Sequence, residues 1–345
     1  MTTTRTTPPP EATEAAARDG RGPDGGTRRR LVAVLVAAPL IAALALWAFA
    51  WPAARTAPRD LPIGLVAPAG APVAERLTTG PAEDAFDVHR YQDAEAARAA
   101  VQDREVYGAL IASPRGTELL TASAASPAVA QLLERTVAAQ APPGTEVRTT
   151  DVVPLPETDP RGAAFAAGAL PLALTGVAAA ALVTLLGLTG GRAAGALTAA
   201  AALVGLTAAA VQHSWLGVLT GDWWAEAGVL GLTVLAVAAA AAGTAAVLGT
   251  RGLGLAAFVL VLLGNPFSGV TSAPELLPSA VAWIGGLLPP GASGELLRSV
   301  SYFGTAATAP ALVLSAWALL GLTAVVLGGR WRHRETARPR SKQEE

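Results

Sequence analysis

The chain has 345 residues, of which 52% are hydrophobic and 15% are charged, and its formal net charge is −1 at pH 7. A soluble domain usually carries about 25% charged residues, so this composition excludes an ordinary water-soluble protein. The chain contains no cysteine, which excludes disulfides, thiol catalysis and cysteine-based metal sites.

The N-terminal region predicts a disordered segment followed by a membrane anchor. Residues 1–30 are predicted to be disordered and cytoplasmic, because most of them are Thr, Pro, Ala and Gly without hydrophobic periodicity. Arg28 to Arg30 precede an apolar run at 31–51, which as a helix covers about 30 Å, the thickness of a hydrocarbon core. Signal peptides also follow basic residues, but this run is long for one and lacks a small-residue cleavage site before Trp51. We therefore predict an uncleaved first transmembrane helix.

Residues 52–163 predict one small α/β domain. Strands are predicted at 61–67, 86–91, 107–112 and 118–121, with an extended return at 146–155. One helix is predicted at 94–105 with Asp93 as its cap, and another after Ser126-Pro127. The only histidine of this domain is His89, and its aspartates lack metal-ligand spacing. These features favour binding, docking or assembly over catalysis.

Five further transmembrane helices are predicted in a domain over residues 164–329, at 164–189, 195–215, 227–249, 253–268 and 308–328. Only seven charged residues occur in this region, and all are predicted to lie between the apolar runs: Arg192, Asp222, Glu226, Arg251, Glu275, Glu295 and Arg298. Because ion-coupled transporters normally keep ionisable residues within their spans, proton or sodium coupling in this chain is disfavoured.

The arginines predict the orientation of the chain. Arg192, Arg251 and the basic tail at 330–345 fall on the same face as Arg28 to Arg30, and the positive-inside rule makes that face cytoplasmic. Both termini are then cytoplasmic, and residues 52–163 are extracytoplasmic. The predicted fold is therefore a multi-pass α-helical protein of a bacterial plasma membrane, with an α/β domain between spans one and two.

The sequence disfavours two catalytic motifs. A P-loop needs a lysine after its glycine-rich turn, and the only lysine is Lys342 in the tail. Gly291 to Gly294 matches the G-x-S-G of rhomboid-like proteases, but the serine, Ser293, would need His213 as its base. We predict no catalytic, cofactor-binding or metal-binding residues, no cofactor and no nucleic-acid partner, and therefore no enzyme.

Residues 264–303 have the most distinctive sequence in the chain, and we call them the interrupted segment. Asn265-Pro266 and Ser268-Gly269 are predicted to break a helix. Two short amphipathic pieces follow, at 274–288 and 293–302, hinged at Pro289-Pro290-Gly291. Their wetter sides are marked by Glu275, Glu295 and Arg298. We predict re-entrant or interfacial helices, which a membrane tolerates where protein or water satisfies the backbone.

The interrupted segment resembles the outer-leaflet region of ABC-2 type permeases, especially the branch that includes the phage-infection-protein family. The shared elements are G-N-P-F-S-G at 264–269, P-E-L-L-P at 274–278, L-P-P-G-A at 288–292 and L-R-S-V-S-Y-F at 297–303. The layout of one span, an outer domain and five spans is also similar to that group. The resemblance implies an outer-gate motif comprising Gly264, Asn265, Pro266, Ser268, Gly269, Glu275, Pro289, Pro290, Gly291, Glu295 and Arg298.

The resemblance implies a permease subunit that works as a homodimer or heterodimer in the lipid bilayer. A separate ATP-binding subunit would energise export, and the apolar spans favour an amphipathic or lipid-like substrate. The alternative is a non-transporting membrane protein whose outer domain binds a partner or a cell-envelope component. The short inner loops around Arg192 and Arg251 favour that alternative, because ABC-2 permeases couple to their ATPase through cytoplasmic helices and loops.

Overall fold

A computed structural model of the chain describes residues 25–68, 84–113, 116–140, 147–305 and 307–336. The chain divides into two compact units, Met1–Trp47 and Ala48–Glu345. Helix α1 (Gly25–Ala53) begins in the first unit. Residues 25–30, predicted to be disordered, are thus helical, because Arg28 to Arg30 favour helix and adjoin the apolar run. The remainder of that predicted disordered segment lies outside the described residues.

The second unit contains a five-stranded sheet with two helices. Its strands are β1 (Leu61–Val66), β2 (Phe86–Arg90), β3 (Gly108–Ser113), β4 (Gly116–Thr121) and β5 (Val147–Asp151). The strand order is β2-β1-β3-β4-β5, and only the β3–β4 pair is antiparallel. Helix α2 (Ala94–Gln102) connects β2 to β3, and helix α3 (Pro127–Gln140) connects β4 to β5. We call residues 61–151 the sheet domain.

The two helices of the sheet domain cover opposite faces of the sheet. Successive residues of β3 alternate between them: Leu110 packs in one core with Leu133 of α3, and Ala109 packs in another with Val101 of α2. Both helices begin as predicted. The Asp93 side chain accepts a 2.8 Å hydrogen bond from the Ala96 N–H at the start of α2, and the Ser126 hydroxyl accepts one of 3.2 Å from the Val129 N–H at the start of α3. The strands and helices of this domain lie within a few residues of their predicted positions.

The rest of the second unit is helical. Four long apolar helices follow the sheet domain: α4 (Ala163–Leu185), α5 (Gly190–Trp215), α6 (Trp223–Leu248) and α7 (Thr250–Phe267). After two short helices, α8 (Ser279–Leu287) and α9 (Pro289–Tyr302), helix α10 (Thr308–Thr336) carries the last apolar stretch. Among the described residues, six helices are long and apolar enough to cross a membrane. The predicted mostly helical fold with a small sheet is thus confirmed, and the six candidate spans are consistent with a multi-pass membrane protein.

Helix α6 forms the centre of this helical part. In its most apolar window 78% of the residues are buried, compared with 28% or fewer in each of the other five candidate spans. Small residues allow its neighbours to approach closely, since a Cβ added at Gly205 of α5 would lie 2.5 Å from the carbonyl oxygen of Ala227. Because α6 is buried, polar side chains near its ends can be removed from water.

Of the two breaks predicted at the start of the interrupted segment, one is confirmed and one is wrong. Asn265-Pro266 does not end helix α7, which passes through a π-helical turn at Phe258–Leu263 and continues to Phe267. The break predicted at Ser268-Gly269 is confirmed, because the helix ends at Phe267 and the chain turns at Gly269, where φ is +66°. Pro289-Pro290-Gly291 is not a hinge between helices but the first turn of α9, where proline is favoured because no intrahelical partner is lost. The extended residue before it is Leu288.

Candidate functional site

The sheet domain is joined to the interrupted segment by specific polar contacts. The Tyr107 hydroxyl donates a 2.7 Å hydrogen bond to Glu275 Oε2, and the Ser126 hydroxyl donates one of 2.6 Å to the carbonyl oxygen of Ser272. Leu276 of the interrupted segment is buried in the same core as the sheet residues that face α3. The sheet domain and the interrupted segment therefore share a hydrophobic core and a hydrogen-bond network.

Arg104 makes three of the contacts between the sheet domain and the interrupted segment. Its Nη2 lies 2.8 Å from Glu295 Oε1, its Nη1 donates a hydrogen bond to the Ser299 hydroxyl, and its guanidinium lies over the Phe303 ring. The backbone of Arg104 has φ of +60°, which is strained for a residue with a Cβ. We call Arg104, Glu295, Ser299 and Phe303 the Arg104 latch. The sequence carries no local signal for this latch, because its members lie in distant segments.

A cavity of about 370 Å³ lies within the interrupted segment, and we call it the segment cavity. Its walls come from that segment and from the first turns of α10, and most of them are apolar, including Val270, Trp283 and Leu287. Five of the eleven residues predicted as the outer-gate motif line it: Ser268, Gly269, Gly291, Glu295 and Arg298. An apolar cavity with a few placed polar groups is the usual form of a small-molecule site.

Arg298 is buried, although it was predicted to lie on the wetter side of its helix. Only 5% of it is exposed, because nearly every residue of α9 is covered by α6, α10 and neighbouring elements. Its Nη2 donates a 3.0 Å hydrogen bond to the carbonyl oxygen of Val270, and its guanidinium lies 5.1 Å from the centre of the Phe165 ring. These contacts hold a cationic group at the wall of an apolar cavity.

The other motif residues shape the backbone around the segment cavity. A Cβ on Gly264 would lie 2.9 Å from Pro290 Cγ, and a Cβ on Gly291 would collide with the carbonyl oxygen of Gly285. The carbonyl oxygen of Asn265 accepts a 2.6 Å hydrogen bond from the Ser268 hydroxyl. The structure thus assigns packing to Gly264 and Pro290, a turn contact to Asn265, and a contact with the sheet domain to Glu275.

A second polar cluster lies where α5 ends and α6 begins. Glu226 was predicted to lie in a loop, but it belongs to the first turn of α6 and its side chain is 0% exposed. Its Oε1 accepts a 2.8 Å hydrogen bond from the Gly221 N–H, and its Oε2 lies 2.7 Å from His213 Nδ1. The prediction that all seven charges lie outside the helices is therefore wrong. Sequence reasoning placed Glu226 one residue before an apolar run, and only the packing around α6 shows its burial.

The serine and the histidine that a rhomboid-like protease would need lie in different surroundings. Ser293 Oγ lies 2.9 Å from Thr233 Oγ1 inside the helical core, whereas His213 is paired with Glu226. The structure therefore does not join Ser293 and His213 in a hydrogen bond. Among the described residues, no group of three or more His, Asp or Glu side chains is placed to hold a metal ion.

The contribution of Tyr107 to the stability of the contact between the sheet domain and the interrupted segment depends on pH in the alkaline range. Burial, supported by the neighbouring Glu275 carboxylate, raises the pKa of Tyr107 well above its usual value of about 10. The unfolded chain then loses this proton at a lower pH than the folded chain, so the contribution is complete below pH ~10 and falls as the pH rises towards the folded pKa. We expect Tyr107→Phe to cost about 1 kcal/mol at neutral pH, because Glu275 loses its donor.

Thermal unfolding in mild detergent over an alkaline pH series would measure this effect. The Tyr107→Phe protein should show a shallower alkaline loss of stability than the unmodified protein. Tyr91→Phe is the matched control. Burial and the neighbouring Glu105 carboxylate also raise the pKa of Tyr91, but its hydroxyl is 3.4 Å from Glu105 and more exposed than that of Tyr107, so this variant should retain most of the alkaline loss. An unchanged alkaline slope in Tyr107→Phe would contradict the assignment.

No protein-family model, curated protein or solved structure matches this chain.

Proposed function

We propose that the chain is the permease subunit of an ABC-2-like exporter, which moves an amphipathic or lipid-like substrate across the bacterial plasma membrane. The segment cavity carries this proposal, because it gathers five residues of the motif that resembles ABC-2 permeases around an apolar space. Two of the five, Glu295 and Arg298, are charged, so the cavity combines an apolar wall with a polar end. A separate ATPase chain would supply the energy.

The proposed orientation follows from the arginine distribution. With Arg28 to Arg30 and the basic tail on the cytoplasmic side, both termini are inside and the sheet domain is extracytoplasmic. The segment cavity, which contacts the sheet domain through Glu295 and Arg104, then lies towards the outer face. A cavity at that level suits the release or capture of a substrate at the outer leaflet.

The proposed docking surface for the ATPase lies at the end of helix α10. This helix continues from the end of its apolar span at Gly328 to Thr336, through a sequence rich in arginine. The inner connections between spans offer little surface, because α4 and α5 are separated by residues 186–189 and α6 and α7 by Gly249 alone. We propose that a second permease subunit, identical or related, completes the pathway.

A second candidate function is a membrane protein that does not transport and whose sheet domain binds a partner or cell-envelope component. The short inner connections favour it. Deleting residues 60–155 would not separate the two functions cleanly, because the sheet domain shares its core with Leu276 of the interrupted segment. Identification of the bound subunits is a sharper test.

Purification from native membranes in mild detergent, followed by mass spectrometry, tests the proposed function. We expect a stoichiometric nucleotide-binding subunit to co-purify, and we expect it to be lost when the chain is truncated after Gly328. Removal of residues 337–345 alone is the control, since it leaves α10 complete to Thr336. Repeated recovery of the intact chain without any ATPase would overturn the permease proposal and favour the binding protein.

A further inference from the structure

The segment cavity is lined by two charged residues, Glu295 and Arg298, and among the described residues only Glu295 has an ion-pair partner within 4.0 Å. Glu295 pairs with Arg104 at 2.8 Å, and its carboxylate acts on Arg298 only from a longer distance. Among the described residues, no carboxylate oxygen lies within 4.0 Å of a guanidinium nitrogen of Arg298. Because burying a charge without a partner is costly, a buried cation at a cavity wall favours an anionic occupant.

The hydrogen-bonding capacity of Arg298 points in the same direction. A guanidinium has five N–H donors in a fork that matches carboxylate and phosphate groups. In the described part of the chain, one hydrogen bond from Arg298 is seen, to the carbonyl oxygen of Val270. The cation–π contact with Phe165 fixes the plane of the guanidinium without using an N–H donor. Arg298 is therefore held in place with donor capacity remaining for a ligand.

The remaining cavity wall is suited to hydrocarbon. Trp283 and Leu287 of α8 line the cavity and are exposed by 70% and 45%, so the cavity continues into an exposed apolar surface. Exposed apolar side chains of a membrane protein face lipid, and tryptophan is enriched at the level of the headgroups. This continuity indicates that an occupant enters from the bilayer.

We propose that the segment cavity binds an anionic lipid of the bilayer, with its phosphate or carboxylate on Arg298 and a hydrocarbon chain against Trp283 and Leu287. A volume of about 370 Å³ is near the small end of ligand pockets. It therefore holds the head and the first part of a chain, while the remainder lies along the exposed apolar surface. This proposal names a substrate class for the exporter and, as such, rests on the proposed function.

Lipid binding to the full chain in mild detergent tests the proposal by native mass spectrometry. The probes are phosphatidylglycerol and diacylglycerol with the same acyl chains, because diacylglycerol lacks the phosphate and its charge. We expect phosphatidylglycerol to bind roughly tenfold more tightly, as one charge-assisted contact predicts. Arg298→Gln should remove this preference, and Arg298→Lys should retain part of it because the charge remains. Equal binding of the two lipids to the unmodified chain would overturn the proposal.

Two further variants keep the test independent of folding defects. Gly286 lines the segment cavity and a Cβ there would meet open space, so Gly286→Leu should fill the cavity and weaken binding of both lipids. Arg192→Gln removes an exposed arginine elsewhere and should keep the full preference. Retention of the phosphatidylglycerol preference in Arg298→Gln, together with undiminished lipid binding in Gly286→Leu, would overturn the site. Glycerol phosphate should not compete, and competition equal to that of the lipid would contradict a bilayer ligand.

Different experimental results would contradict the lipid-site proposal and the permease proposal. Loss of the lipid proposal would appear as equal lipid binding by a protein that still co-purifies with its ATPase. Loss of the permease proposal would appear as a protein without an ATPase that still prefers phosphatidylglycerol through Arg298. In that second case the same cavity would be a lipid site of a protein that does not transport.

Discussion

Replacing Arg104 with alanine is expected to weaken the attachment of the sheet domain to helix α9. The change removes the 2.8 Å ion pair with Glu295, the hydrogen bond to Ser299 and the contact with the Phe303 ring in one step. Because the Glu295 side chain is 36% exposed, solvent can compensate part of the loss, and we expect about 2 kcal/mol of destabilisation. Thermal unfolding in mild detergent would measure this as a lower Tm.

Glycine at the same position is the matched control for backbone strain. Arg104 has φ of +60°, which glycine adopts without the steric penalty that alanine retains. Arg104→Gly should therefore be about 1 kcal/mol more stable than Arg104→Ala, although both lack the latch side chain. If both variants unfold at the temperature of the unmodified chain, the Arg104 latch does not contribute to stability.

Replacing Glu226 with alanine is the second change for which we expect a large effect. Its carboxylate is fully buried and serves both the Gly221 N–H and His213 Nδ1. Alanine would leave these two part-buried groups without their partner, and we expect a destabilisation of about 2 kcal/mol. Glu226→Gln should cost less, because its amide oxygen can still accept from Gly221 and its nitrogen can still face His213.

Asp222→Asn separates this effect from simple removal of a carboxylate. Asp222 caps the same helix by accepting a 2.8 Å hydrogen bond from the Ala225 N–H, and asparagine is an equally good cap. We expect this variant to unfold near the unmodified Tm. An equal loss of Tm in Asp222→Asn and Glu226→Ala would mean that the burial of Glu226 has no special role. Equal Tm values for Glu226→Ala and the unmodified chain would contradict a structural role of Glu226.

Local sequence signals predicted the elements well because those signals are themselves local. Apolar runs long enough to cross a membrane predict the six candidate spans, and the structure has six helices of that kind among its described residues. The caps at Asp93 and Ser126 predict the starts of the two sheet-domain helices, where both side chains accept backbone N–H groups. Errors occurred where two signals competed, as at Pro266, which lies inside a helix that a π-helical turn precedes.

Five residues of the predicted outer-gate motif share one cavity, but the sequence does not show how that cavity is built. Ser268, Gly269, Gly291, Glu295 and Arg298 line one cavity, as a shared motif would lead one to expect. Their environments were not predictable. Hydropathy assigns a charged residue to water, whereas Arg298 and Glu226 are buried because helix α6 and its neighbours enclose them.

The sequence by itself therefore determined the composition, the candidate spans, the strands and helices of the sheet domain, and the position of the motif. These properties depend on residues that are close together in the chain. Only the tertiary structure decided that Arg104 pairs with Glu295, that His213 pairs with Glu226, and that Arg298 faces a cavity without a carboxylate partner among the described residues. Such partners come from segments far apart in the sequence, and packing alone sets which charges meet and which are removed from water.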